Sequence, residues 1–246
     1  MSGSGLRLGV MQPYFFPHLA HFALIEHTDA WIVFDVTQYT PKSWMSRNRV
    51  LHPSTGSNWI NVPLANGSIH IRTHEARLLD PQAARDTVLG KLSHYRRKAP
   101  FHHTVERLVH ETFDGPADEV GSLTHLNRRG LAAVCRHLGL RFESSVCSAL
   151  DLGLPEHLEA GDWALEICGR LGATTYLNPV GGRALFDPAR YRERGIALQF
   201  LEMAPFAYAT PGYAFEPGLS ILDVMMWNEP AAIVRALREG STLHDA

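Results

Sequence analysis

The stretch Leu8-Gly9-Val10-Met11-Gln12-Pro13-Tyr14-Phe15-Phe16-Pro17 decides the fold, together with the second apolar run Trp31-Ile32-Val33-Phe34. Each run has the composition of a buried strand, and each ends in polar and aromatic side chains. The segment between them, His18–His27, has the apolar content of a helix. Because that helix is long enough for a crossover, we predict that strands at about Leu6–Met11 and Trp31–Asp35 are parallel neighbours.

The rest of the chain alternates in the same way, which predicts an α/β fold with a Rossmann-like parallel or mixed sheet and a helical insertion at about 81–138. We expect a single domain over 1–246. An Asn66-Gly67 hairpin is predicted between two strand candidates. The predicted strands are Trp59–Leu64, Ile69–Leu78, Phe142–Val146, Thr175–Leu177 and Ala197–Glu202, and the predicted helices are Gln82–Lys98, Phe101–Phe113, Ser122–Leu138, Glu156–Leu171, Asp187–Arg194 and Ser220–Trp227.

Composition excludes several classes of protein. The formal net charge of −2 does not favour a nucleic-acid-binding surface. No apolar run approaches the roughly 18 residues of a membrane span, and the first residues lack the apolar core of a signal peptide. Three widely spaced cysteines, Cys135, Cys147 and Cys168, fit reduced thiols in a cytoplasmic protein. His102 and His103 are adjacent on a helix and should point in different directions, so we expect no metal site.

The first cluster of candidate site residues follows the first strand. Gln12 offers amide donors and an acceptor, and Tyr14 can form a wall of a ligand pocket. His18 and His21 share a helix face, and the segment Pro17-His18-Leu19-Ala20-His21 resembles the Pro-x-His-x-Gly-His pattern of nucleotidylyltransferases and pantothenate synthetase. In those proteins the histidines stabilise phosphate charge, although Ala20 replaces the glycine. Surface or supporting histidines are the alternative.

A second cluster follows the second strand and is dense in polar groups. It comprises Asp35, Gln38, Tyr39, Lys42, Trp44, Arg47 and Asn48. Asp35 can act as a general base and Arg47 can clamp a carboxylate or phosphate, or the two can simply pair to hold the loop. Because both clusters leave adjacent strands at one sheet edge, we predict that they line one pocket, with Ser220 and Asp223 of the last helix approaching it.

These motifs together resemble the WbqC-like family of bacterial proteins. The resemblance rests on Met11-Gln12-Pro13-Tyr14-Phe15-Phe16-Pro17, Asp35-x-x-Gln38-Tyr39, Trp44-x-x-Arg47-Asn48, and Ser220-Ile221-Leu222-Asp223 with Asn228, and it spans Leu8 to Asn228. Family members typically have Pro-Tyr-Leu-Gly-Tyr where this chain has Pro17-His18-Leu19-Ala20-His21. The family therefore does not require the two histidines.

The resemblance implies an enzyme of O-antigen or specialised-metabolite biosynthesis that forms an amide. An activated aminoacyl donor, such as a phosphopantetheine thioester on an acyl or peptidyl carrier protein, would react with an amine of a sugar or small metabolite. One alternative is an ATP- and magnesium-dependent ligase or nucleotidylyltransferase that uses His18 and His21. A second alternative is a non-catalytic subunit of a glycan or metabolite assembly complex.

Overall fold

The architecture of residues 5–246 is described by a computed structural model, in which eight strands form two sheets. The strands are β1 (Arg7–Met11), β2 (Ala30–Val33), β3 (Arg47–Leu51), β4 (Ser57–Asn61), β5 (Ser144–Val146), β6 (Thr175–Pro179), β7 (Ala197–Met203) and β8 (Ser241–Asp245). The main sheet has the order β5-β2-β1-β6-β7-β8, and β3 and β4 form a separate antiparallel pair. All neighbours in the main sheet are parallel except β7 and β8. This confirms the predicted α/β class and the parallel pairing of β1 with β2.

Nine α-helices connect and cover the strands of the described chain. They are α1 (Leu19–Glu26), α2 (Pro81–Leu92), α3 (His102–Phe113), α4 (Ala117–Val120), α5 (Leu123–Leu138), α6 (Asp162–Leu171), α7 (Pro188–Glu193), α8 (Ile221–Trp227) and α9 (Pro230–Glu239). Helices α2 to α5 lie between β4 and β5 in the chain, where the helical insertion was predicted. Asp80 and Ser122 cap α2 and α5, because their side chains accept the amides of Ala83 and His125.

The main sheet buries apolar side chains on both faces. Trp31 and Val33 of β2 belong to the larger core, which also contains α1 and the helical insertion. Ile32 of the same strand belongs to a smaller core, together with Leu165 and Ile167 of α6. Because successive side chains of a strand point to opposite faces, a parallel strand covered on both sides reads as a continuous apolar run. That burial explains why β1 and β2 are recognisable from the sequence.

The predicted Asn66-Gly67 hairpin is wrong. β4 pairs with β3, and the runs on either side of Asn66 meet only around the bridge between Leu64 and Leu78. The Asn66 side chain accepts the amide of Arg77 (2.8 Å) and donates to the carbonyl of Glu75 (2.8 Å). These side-chain bonds replace the backbone ladder that a hairpin needs. Arg47 and Asn48, which the sequence predicts to lie in a loop, belong to the strand β3.

Two further differences concern the second half of the chain. The helix predicted from Glu156 begins only at Asp162. The segment before α6 instead lines a cavity, through Glu156, His157, Leu158 and Ala160. The predicted final helix, α8, is followed by α9 and β8, which the sequence analysis did not predict. β8 pairs with β7 and covers one edge of the sheet.

Candidate functional site

A cavity of about 450 Å³ lies at the carboxyl ends of β1, β2 and β6, and we call it the edge cavity. Ligands of open α/β sheets bind at this edge because the loops that leave the strands diverge there. Five residues that the sequence analysis proposed lie in its wall: Gln12, Tyr14, His18, His21 and Trp44. The opposite wall comes from elements that the sequence analysis did not assign to the site, including Trp163, Asn178, Gly182 and Phe186.

A second cavity of about 800 Å³ continues from the first, and we call it the polar cleft. The two share Gln12, Phe34, Ala160 and Trp163, so Gln12 stands where they meet. The polar cleft carries most of its polar and charged groups away from this junction. These are Gln38, His70, Arg72, Glu156 and His157. A molecule with an apolar and a polar part, or two molecules that react with each other, could therefore occupy neighbouring spaces around Gln12.

The turn between β1 and α1 is held by side chains from distant parts of the chain. Asn48 donates to the carbonyls of Phe15 (3.1 Å) and Phe16 (2.8 Å), and Ser220 donates to the same Phe16 oxygen (2.7 Å). Asn127 donates to the carbonyl of Pro13 (2.7 Å). Phe16 has a positive φ of 39°, which is unfavourable for a residue with a side chain, and these bonds keep it there.

Asn48 and Ser220 thus position the turn and are not part of the cavity wall. Asp223, the other predicted residue of α8, is also buried. It accepts hydrogen bonds from the hydroxyls of Tyr95 and Tyr208, the second at 2.6 Å, and burial raises the pKa of its carboxyl. Helix α8 therefore holds the turn through its N-cap residue Ser220 and contributes no residue to the edge cavity.

The two predicted histidines lie in different surroundings. His21 is buried against Trp31, with ring centroids 5.0 Å apart, and its Nε2 has no hydrogen-bond partner among the described residues. Burial, and then the nearby charge of His18, lowers the pKa of His21 to about 3, so the ring is neutral at physiological pH. His18 is exposed and lies between the edge cavity and a smaller hollow beside the Pro205–Gly218 loop.

Asp35 is fully buried and makes two hydrogen bonds to one residue. Its Oδ1 accepts the amide of Ser148 (2.9 Å) and its Oδ2 accepts the Ser148 hydroxyl (2.8 Å). It lines neither the edge cavity nor the polar cleft. The prediction that Asp35 shares a pocket with Gln12 is therefore wrong. Asp35 lies two residues after β2, and its side chain points inward, towards Ser148 in the segment that follows β5.

Arg47 is also separated from Gln12. It lies in a third hollow of about 370 Å³, formed by the β3–β4 pair and the preceding turn, together with Lys42 and Tyr39. The Arg47 guanidinium lies over the indole of Trp59, 4.2 Å from the ring centroid. The predicted pairing of Asp35 with Arg47 is absent from the ion pairs of residues 5–246. The prediction of one pocket containing both whole clusters is therefore wrong. Two residues of the second cluster nevertheless lie near Gln12, because Trp44 lines the edge cavity and Gln38 lines the polar cleft.

The structure brings His102 and His103 closer than the sequence analysis expected. Their ring centroids are 5.3 Å apart, and one potential ligand atom from each lies within 4.8 Å of the others and of a Glu106 carboxylate oxygen. His103 is 3.3 Å from Glu106, whereas His102 is 4.0 Å away. The two histidines begin α3 and Glu106 lies one turn further on, so the group is near the helix N-terminus, where the helix dipole opposes a bound cation. None of these three residues lines the edge cavity or the polar cleft.

Comparison with known proteins accounts for the motifs around the turn. The sequence profile described as the WbqC-like protein family matches residues 12–235. The chain belongs to the WbqC-like protein family. This WbqC-like protein is also 27% identical over 223 residues to the uncharacterized protein Rv1507c of Mycobacterium tuberculosis (strain ATCC 25618 / H37Rv). The aligned region covers 89% of this chain and 92% of the relative. No solved structure matches the chain.

Within the described residues of the WbqC-like protein, no helix is both long and apolar enough to cross a membrane. The residues that carried the resemblance have different positions in the structure. Gln12 and Tyr14 line the edge cavity, and Asn48 and Ser220 hold the backbone of the turn beside it. Asp223 accepts hydrogen bonds from Tyr95 and Tyr208, and Arg47 lies in a separate hollow. Much of the family motif thus serves to hold a strained turn at the carboxyl edge of the sheet.

Proposed function

We propose that this WbqC-like protein catalyses amide formation, by transfer of an aminoacyl or acyl group from an activated donor to an amine of a sugar or small metabolite. The observation that carries the proposal is the meeting of two cavities of different polarity at Gln12. A transfer reaction needs two substrates held side by side with their reacting atoms in contact. The edge cavity suits the uncharged acyl and pantetheine part of a thioester donor, and the polar cleft suits a polar amine.

The side chains around the junction have the chemistry that this step requires. The amine nitrogen attacks the thioester carbonyl carbon, the carbon–sulfur bond breaks, and the thiolate leaves. The proton lost by the amine goes to His18, which lies beside the cavity and whose pKa is lowered by partial desolvation, so the neutral ring can accept it. The Gln12 amide and the Tyr14 hydroxyl are the donors offered to the carbonyl oxygen, and burial raises the pKa of Tyr14, so its proton is retained.

The residues of the edge cavity do not favour adenylyl transfer by the histidines. No lysine or arginine is among the residues that line it, whereas a triphosphate carries several negative charges. His21 cannot supply a cation at neutral pH, because its pKa is lowered to about 3. These observations support the acyl-transfer proposal over an ATP-dependent ligase with His18 and His21 at phosphate.

The experiment uses aminoacyl thioesters of N-acetylcysteamine as donors and amino sugars as acceptors. Free thiol is followed with a chromogenic disulfide, and the amide product is identified by mass spectrometry. The assay has little background because Cys135, Cys147 and Cys168 are all buried. Replacing His18 by Ala should lower the turnover by about a hundredfold or more, as for loss of a general base. His103→Ala, at an exposed histidine on α3, is the matched control.

Three outcomes separate the candidate functions. Thiol release that depends on the amine supports acyl transfer. Pyrophosphate release from ATP and magnesium, with no reaction of the thioesters, would instead support the ligase. Absence of both reactions across a panel of donors and acceptors, with a folded protein, would favour a non-catalytic subunit of an assembly complex.

A further inference from the structure

The hollow that contains Arg47 has the composition of an anion-binding site. Its charged lining residues are Lys42 and Arg47, and no carboxylate is among the described residues that line it. Neither cation forms an ion pair within residues 5–246, whereas Arg129, Arg190 and Arg194 each lie beside a carboxylate. Ser46 and Asn61 add polar side chains to the same wall. Two uncompensated cations in a concave surface raise the local concentration of anions. We call this site the cationic hollow.

An aromatic surface connects the cationic hollow with the edge cavity. Trp44 and Trp59 are 43% and 41% exposed, which is unusual for side chains of this size. Their ring centroids are 5.8 Å apart and their planes differ by 31°. Trp59 lines the cationic hollow under the Arg47 guanidinium, and Trp44 lines the edge cavity. A ligand that touches both indoles therefore extends from one site into the other.

The backbone holds these side chains in a fixed arrangement. Arg47 pairs with Asn61 in the β3–β4 ladder, so the cation and the strand of Trp59 move together. The amide of Phe15 donates to the carbonyl of Trp44 (2.8 Å), which joins this surface to the turn that carries Gln12 and Tyr14. Lys42 has a positive φ of 55°. A strained backbone at a cation beside a cavity is typical of a binding site.

We infer that the cationic hollow binds the diphosphate of a nucleotide-bearing substrate, and that the aromatic surface stacks its base. Arg47 forms paired hydrogen bonds with phosphate oxygens, and Lys42 adds a point charge. Stacking on indoles tolerates any base, because every base has an aromatic face. The remainder of the substrate extends past Trp44 into the edge cavity. Its reaction there rests on the proposed function, whereas binding of the diphosphate does not.

Two kinds of substrate share this chemistry. A nucleoside-diphosphate amino sugar would place its amine at the junction near Gln12, and would be the acceptor. A coenzyme A thioester would place its pantetheine arm in the edge cavity, and would be the donor. Both join a nucleoside to the rest of the molecule through a diphosphate, and coenzyme A adds a 3′-phosphate on the ribose. The diphosphate contact with the cationic hollow alone therefore does not distinguish them.

The test measures equilibrium binding to the full chain by titration calorimetry and by quenching of tryptophan fluorescence. The probes are ADP, coenzyme A, UDP-glucosamine, inorganic pyrophosphate and adenosine. We expect the three nucleotides to bind more tightly than pyrophosphate or adenosine, and their affinity to fall at high ionic strength. Arg47→Gln should weaken ADP binding by about tenfold to a hundredfold, as for loss of charge-assisted bonds. Trp59→Leu should weaken ADP more than pyrophosphate.

The matched control is Arg141→Gln, since Arg141 is an exposed arginine before β5, at the amino end of the sheet. It should leave ADP affinity unchanged. Tighter binding of coenzyme A than of ADP assigns the hollow to the donor, and tighter binding of UDP-glucosamine than of ADP assigns it to the acceptor. No nucleotide binding, or equal binding by Arg47→Gln, would overturn the inference. Nucleotide binding without thioester turnover would refute only the proposed function.

Discussion

Substitutions of Asp35 can show whether its carboxylate stabilises the fold or acts as a catalytic base. Both Asp35 oxygens accept hydrogen bonds from Ser148, at 2.9 and 2.8 Å, and the side chain is fully buried. A hydrogen bond to a charged group contributes about 1.5–3 kcal/mol, so the pair stabilises the fold by roughly 3–6 kcal/mol. Asp35→Ala should therefore lower the free energy of unfolding by about that amount, which is a large part of the total for a typical domain.

Asp35→Asn should have a smaller effect. Its carbonyl oxygen can still accept the Ser148 amide, and its amide group can donate to the Ser148 hydroxyl oxygen. Only the contribution of the charge is lost, which we place at about 1–3 kcal/mol. Ser148→Ala removes one of the two bonds and keeps the backbone one. The two single variants and the double variant form a cycle that isolates the coupling between the side chains.

The measurement is urea unfolding followed by tryptophan fluorescence, with stability read from the midpoint at constant slope. We expect each folded Asp35→Asn molecule to retain normal thioester turnover. A variant that unfolds within about 0.5 kcal/mol of the native protein but has lost turnover would refute this reasoning. Asp35 would then act in the reaction, and its contact with Ser148 would not explain its burial.

Three further predictions concern the turn, His21 and the thiols. Asn48→Ala removes the two hydrogen bonds to the carbonyls of Phe15 and Phe16, so it should lower the free energy of unfolding by about 2–4 kcal/mol. The melting temperature should fall accordingly, and an unchanged melting temperature would contradict the role assigned to Asn48. Below its ordinary pKa of 6.5, His21 binds a proton in the unfolded chain but, with a folded pKa of about 3, not in the native protein. Stability should therefore fall between those pH values by at most about 1.4 kcal/mol per unit, and His21→Phe should reduce this slope in a series of urea titrations. Burial raises the pKa of Cys147 and Cys168 to about 12, so a thiol reagent should label the protein only after unfolding, and rapid labelling of the native protein would contradict this.

Short-range patterns in the sequence were enough to predict the part of the fold that forms the sheet edge. β1 and β2 are buried on both faces of the sheet, so their sequences are continuous apolar runs. Gly139, the glycine after α5, has the positive φ that commonly ends a helix. The hairpin at Asn66 was wrong because an asparagine side chain can replace the backbone ladder. α9 begins at Pro230, which fits the first turn of a helix, so its start could have been predicted.

The site was harder to predict than the fold. The edge cavity is lined by five predicted residues. Gln12, Tyr14 and His18 follow the end of β1, His21 lies in α1, and Trp44 lies in the turn before β3. Arg47 is only three residues from Trp44, yet it lies in another hollow, since it belongs to a strand that the sequence did not reveal. His157 was missed because the sequence predicts it within one long helix, whereas the structure places it before α6, where it lines the polar cleft. Trp163 lies in α6 as predicted, and no local pattern indicates that its side chain lines both cavities. Asn178 follows a predicted buried strand, so the rule used for Gln12 could have found it.

The hydrogen bonds at the turn after β1 have a consequence for how this protein is made. The carbonyls at positions 13 and 16 receive donors from Asn127 and Ser220, which are 114 and 204 residues away. Because synthesis proceeds from the amino terminus, the strained turn has no complete set of partners until helix α8 has left the ribosome. The turn is encoded at the start of the chain but is completed by residues far along it. A nascent chain released before Ser220 would therefore lack one of the hydrogen bonds that hold Phe16 at its positive φ.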